Sequence, residues 1–111
     1  MGELRDLPVV VIITVPNDDV ANNIANMLVS EHLAACVNIV PSITSIYFWK
    51  GEVCRDEELL LIIKTKASLM SKLVSAVRKL HPYSVPEIIA LPVISGFEGY
   101  LKWMEEVTKE D

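Results

Sequence analysis

The chain has 111 residues, 51% of them apolar, a formal net charge of −5 and a mean hydropathy of +0.37. That length suits one domain, residues 1–111, with a sizeable core, and the acidic balance excludes a nucleic-acid backbone as partner while tolerating cationic ligands. The longest apolar stretches, residues 8–13 and 88–94, fall far short of the roughly 18 residues that span a bilayer, so a soluble chain with no membrane partner is expected.

Residues 1–7 carry Glu3, Arg5 and Asp6 where a secretory leader needs a basic segment and an apolar stretch, which predicts a cytoplasmic location. Residues 8–15 form a nearly continuous β-branched run, as expected of a central strand buried on both faces. Pro16-Asn17-Asp18-Asp19 stops it and starts a helix, with Asn17 or Asp18 as N-cap and acids at the positive end of the dipole. Val20, Ile24, Met27 and Leu28 recur at helical spacing and carry that helix to about Glu31 or His32.

Two thirteen-residue runs, 37–49 and 53–65, then face each other across Trp49-Lys50-Gly51-Glu52. A straight hairpin of that length reaches roughly 43 Å. A compact chain of this size is only about 34 Å across, so the tip should overhang. Ile46, Tyr47, Phe48, Trp49 and Val53 make that tip apolar, which predicts an arm that pairs with another copy of the chain. Pro41-Ser42 predicts a bend in the first strand. With Trp49 opposite Glu52, Tyr47 faces Cys54 and Cys36 faces Thr65. The two sulfurs then lie roughly 36 Å apart, which excludes an intrachain disulfide. Glu57 and Glu58 fall on opposite strand faces, where salt bridges with Lys50, Arg55 or a neighbouring subunit are the simplest expectation.

Leu69, Leu73, Val77 and Leu80 mark a second helix that Pro82 ends. Residues 88–94 make a fourth strand, with Pro92 placing its end at an edge or bulge. Residues 97–106 close with a helix that puts Tyr100, Trp103, Met104 and Val107 on one face. The order β-α-β-β-α-β plus a terminal helix is the ferredoxin-like α+β pattern. Both helices cover one sheet face, and self-association would cover the other.

Leu33-Ala34-Ala35-Cys36-Val37-Asn38, Tyr47-Phe48-Trp49-Lys50-Gly51, Lys64-Thr65, His81-Pro82-Tyr83-Ser84-Val85-Pro86-Glu87 and Tyr100-Leu101-Lys102-Trp103 together resemble the CutA divalent-cation-tolerance family over nearly the full chain. The resemblance implies a homotrimer of ferredoxin-like subunits with long hairpins paired between neighbours. It also implies a role in tolerance or binding of divalent metals such as copper, with no required cofactor. It points to no particular protein client. Cys36 sits at the family's motif cysteine, whereas the early-strand thiol of some members falls near Ile13, which carries none.

His81 and Glu87 flank a proline-bounded loop whose fold-back would bring an imidazole and a carboxylate to one Cu²⁺ or other divalent ion, weakly held. The alternative is that His81 caps the preceding helix and Glu87 pairs with a lysine. Cys36 is either a soft metal ligand or a small buried hydrophobe. Tyr47, Trp49, Tyr83, Tyr100 and Trp103 are expected either to pack an interface or to wall an inter-subunit cleft. In the second case Lys64 and Lys66 would attract a small anionic ligand, as in a regulatory or scaffold trimer. The loop after the first strand, Val15-Pro16-Asn17-Asp18-Asp19, lacks the glycine and arginine of an acylphosphatase-like anion cradle. Residues 9–15 lack the aromatics of an RNA-binding sheet. A non-enzymatic protein is expected.

Overall fold

A computed structural model describes residues 6–109. Strand β1 (Pro8–Val15) leads into helix α1 (Asp18–Ser30), the hairpin strands β2 (Cys36–Trp49) and β3 (Glu52–Lys66), helix α2 (Met70–Leu80), strand β4 (Ile88–Pro92) and helix α3 (Glu98–Val107). The strands form one antiparallel sheet in the order β2-β3-β1-β4, the ferredoxin-like arrangement expected from the element order.

Local chemistry sets the ends of the helices. The Asn17 side chain accepts the Val20 N–H at 2.9 Å as the N-cap of α1. At the other end His32 takes φ 63°, and the amides of His32 and Leu33 return to the carbonyls of Val29 and Leu28. That is a Schellman stop, with histidine in the left-handed position that usually falls to glycine. In α2, Leu73 and Val77 are buried together with Leu69 just before it, but Leu80, expected in that stripe, is exposed because the helix ends at His81 ahead of Pro82.

The core lies between the sheet and helices α1 and α2. Val9, Val11, Ile13 and Val15 interleave there with Leu59, Leu61 and Ile63, Ile24 and Leu28, and Leu73 and Val77. β1 alternates strictly between buried and half-buried positions, so the expected burial on both faces is not met within one subunit. On its second face Ile12, Ile62 and Ile89 share one register row, and Ile89 is half exposed. Helix α3 lies against one end of that face, where Lys66 Nζ donates to the carbonyls of Thr108 at 3.1 Å and Glu105 at 3.4 Å. An ammonium there suits the negative end of the helix dipole. Only Met104 of the expected apolar stripe on α3 is buried, while Tyr100 and Trp103 remain partly open.

The hairpin carries the long dimension. The molecule measures 50 × 25 × 22 Å, so the tip overhangs as its length requires, and Phe48 and Val53 are 71% and 73% exposed. The turn residues Lys50 and Gly51 have φ of 51° and 83°, the two left-handed residues of a tight hairpin turn whose twist matches the strands.

Pro41-Ser42 is more than a bend. Val40 pairs with Leu60 but Ile43 pairs with Glu58, so β2 carries one extra residue between them, with Ser42 at φ 62°. Below this bulge Cys36 faces Lys64, not Thr65 as an uninterrupted register would have it. Above it the expected pairs hold, Tyr47 with Cys54 and Trp49 with Glu52. The bulge moves the odd-numbered residues of the outer hairpin, Ser45, Tyr47 and Trp49, onto the face that the even-numbered residues hold below it. β4 stops at Pro92, short of the expected 94, with Pro92 on an edge strand as its missing donor demands.

Candidate functional site

A cavity of about 570 Å³ opens where the outer hairpin meets the loop between α2 and β4. β2 contributes Ser45, Tyr47 and Trp49, β3 contributes Asp56 and Glu58, the loop contributes Tyr83 through Val85 and Glu87, and Thr14 closes the inner end. Three carboxylates line it, and among the described residues no lysine or arginine does.

The carboxylates are held in place by phenols. Asp56 stands opposite Ser45 and Glu58 opposite Ile43, two residues apart on one face of β3, so both point inward. The Tyr47 hydroxyl donates to an Asp56 oxygen, and the Tyr83 hydroxyl donates to Glu58 Oε2 at 2.6 Å. Glu58 is only 6% exposed, and at the floor of the cavity it accepts its hydrogen bond from the Tyr83 phenol. Glu57, on the opposite face, accepts from Thr44 Oγ1.

These contacts keep the phenols protonated. Donation to Asp56 is the main reason that Tyr47 is pushed up to about 12, and burial followed by donation to Glu58 pushes Tyr83 up as well. Burial, then the nearby Cys36 thiol, raises Tyr100. An acid with a raised folded-state pKa contributes stability below its unfolded value near 10, and that contribution is lost as pH climbs through the folded value. All three tyrosines of the chain shift the same way. Ultraviolet titration of the native protein should therefore show little phenolate at pH 10, with Tyr47→Phe deleting a step near 12. A native protein half ionised at pH 10 would contradict this geometry.

His81 is 6% exposed and both ring nitrogens are occupied. Nε2 donates to the Thr14 carbonyl at 2.8 Å, and Nδ1 accepts the Tyr83 N–H at 3.3 Å. Its backbone caps α2, donating to the Val77 carbonyl, while the ring ties the loop to β1. The expected His81 and Glu87 pair thus offers no free imidazole, and the ring acts as a strut for the loop that carries Glu87. Cys36 lies elsewhere: it pairs with Lys64, which pairs with Val10, four residues along β1 from Thr14 and so about 13 Å away. Among the described residues no three side chains of His, Cys, Asp or Glu converge on one point.

The aromatic and lysine positions expected around one cleft divide within the subunit. Tyr47, Trp49 and Tyr83 line the cavity. Tyr100 and Trp103 pack with tilted rings, centroids 5.5 Å apart, on α3, while Lys64 donates to Asn38 and lies 3.9 Å from the Cys36 sulfur. Asp56 and Glu58 were not among the residues expected at a site. Their signal in the sequence is the two-residue spacing that puts both on one face of the strand.

The sequence model of the family described as "CutA1 divalent ion tolerance protein" matches residues 9–107. The divalent-cation tolerance protein CutA of Thermus thermophilus is 58% identical over 99 residues, covering 89% of this chain and 96% of that protein. Human protein CutA is 52% identical over 97 residues, covering 87% of this chain but 54% of its own length. Among solved structures, the Thermus thermophilus protein superposes with a TM-score of 0.92 at 55% identity, covering 93% of this chain and all of that one. CutA1 from Oryza sativa superposes with a TM-score of 0.92 at 48% identity, covering 96% and 97%.

Proposed function

The chain belongs to the CutA1 divalent ion tolerance protein family, and from that premise we propose that it is a single-domain homotrimer that binds divalent cations weakly and exchangeably, without catalysis. The observation that carries the reading is the cavity lined by Asp56, Glu58 and Glu87, with no basic side chain among the described residues of its wall. Hard oxygen donors that do not converge hold an ion loosely, and Cu²⁺ is the divalent ion that a given oxygen and nitrogen site holds most tightly in its series. Glu87 is the donor we assign first, because Asp56 and Glu58 already accept phenol hydrogen bonds. His81 acts through the loop, and Cys36 packs beside Lys64.

Trimer assembly is supported by two features. β2 and β4 are the outer strands of the sheet, so each subunit carries two open edges that head-to-tail pairing with further copies would close into a ring. The half-exposed row of Ile12, Ile62 and Ile89 gives the same copies an apolar face to cover. Cys36 and Cys54 are both free, in keeping with a reducing cytoplasm. An anionic ligand has less footing, since Lys64 is bonded to Asn38 away from the acidic cavity.

Titration calorimetry tests the assignment. Glu87→Gln should weaken Cu²⁺ binding about tenfold, the loss of one charged ligand. An isotherm identical to that of the unsubstituted protein would remove Glu87 from the site.

A further inference from the structure

The volume of the cavity and the nature of its walls exceed what a bare ion needs. A space of about 570 Å³ falls in the range of pockets that hold small organic molecules. Tyr47, Trp49 and Tyr83 supply aromatic surface, which attracts cations through the ring face and packs well on methylene groups. Trp49 already has a cation beside it, with Lys50 Nζ 5.9 Å from the ring centroid. The carboxylates are spread out instead of focused: Asp56 and Glu58 stand about 7 Å apart along β3, and Glu87 lies across the cavity on the loop.

We propose that this cavity binds a small aliphatic diamine, its two ammonium groups on Asp56 and Glu87 or Glu58 and its carbon chain against Tyr47, Trp49 and Tyr83. Separated negative charges match a ligand whose positive charges are themselves separated. Each carboxylate accepts about four hydrogen bonds, so one phenol donor leaves lone pairs for an ammonium, which has three N–H groups to give. The Tyr47 and Tyr83 hydroxyls are oriented by their own donation and present oxygen lone pairs as further acceptors. The net charge of −5 favours the approach of a cation. This inference uses the cavity of the preceding reading but not its metal, and the two fail separately.

Calorimetry and thermal shift of the whole protein in EDTA, with 1,4-diaminobutane as the probe, test it. The diamine is expected to bind and raise the melting temperature, while 1,4-butanediol and succinate, the neutral and anionic analogues, do not. Asp56→Asn and Glu87→Gln should each weaken the diamine about tenfold, and Glu57→Gln, on the opposite strand face, should leave it unchanged. Equal shifts from the diol, undiminished binding in both cavity variants, or an equal loss in Glu57→Gln would overturn the proposal. Failure of Cu²⁺ titration with diamine binding intact would sink only the metal reading.

Discussion

Deleting Phe48 to Glu52 and rejoining β2 to β3 is expected to reduce the solution mass from that of the proposed trimer, about three times the 12.4 kDa chain, toward a single copy. The deleted segment contains Phe48, 71% exposed at the overhanging end of the hairpin, and Trp49, which lines the cavity yet is still 44% exposed. Covering the exposed parts of these two side chains, roughly 170–290 Å² together, is worth on the order of 4–7 kcal/mol per subunit before the costs of association. Loss of a term that large should lower the melting temperature by roughly 20 °C or more. Light scattering and calorimetry read both effects, and an unchanged mass and melting temperature would show that the tip plays no part in assembly.

His81→Ala is the second large effect. Its ring fills a buried position, and its removal leaves the Thr14 carbonyl and the Tyr83 amide without their partners as well as a void. An unsatisfied buried group and a small cavity together cost about 2–4 kcal/mol, a fall of roughly 10 °C or more in melting temperature. Because the same ring positions Tyr83 and the loop to Glu87, the variant should also lose the cation response of the cavity. His81→Gln, whose amide N–H reaches toward the position of Nε2, should recover part of both. Were His81 a direct metal ligand and nothing more, alanine would abolish binding while leaving the melting temperature of the cation-free protein unchanged.

Most of the fold was legible along the chain, since each element announced itself through local chemistry. The period of Val20, Ile24 and Leu28, the Asn17 cap, the stop at Pro82 and the length of the two hairpin runs depend on residues close in sequence, and each appears in the structure. The single-residue bulge was not legible. Pro41-Ser42 signals an irregularity, but whether the strand merely bends or gains a residue depends on the partner strand, and that choice set Cys36 opposite Lys64.

The site divides along the same line. Glu87, Tyr47, Trp49 and Tyr83 were singled out from the sequence, whereas Asp56 and Glu58 were not, and Lys64, Tyr100 and Trp103 lie outside the cavity within one subunit. By itself the sequence determined the order of elements, the overhanging hairpin and the family, because periodicity, caps and motifs are written in neighbouring residues. Only the tertiary structure decided which way the outer hairpin faces, that the His81 ring is used on Thr14 and Tyr83, and that three carboxylates share one cavity. Those outcomes depend on hydrogen bonds between segments far apart in the chain, such as Tyr83 to Glu58 and His81 to Thr14, and no local pattern specifies them.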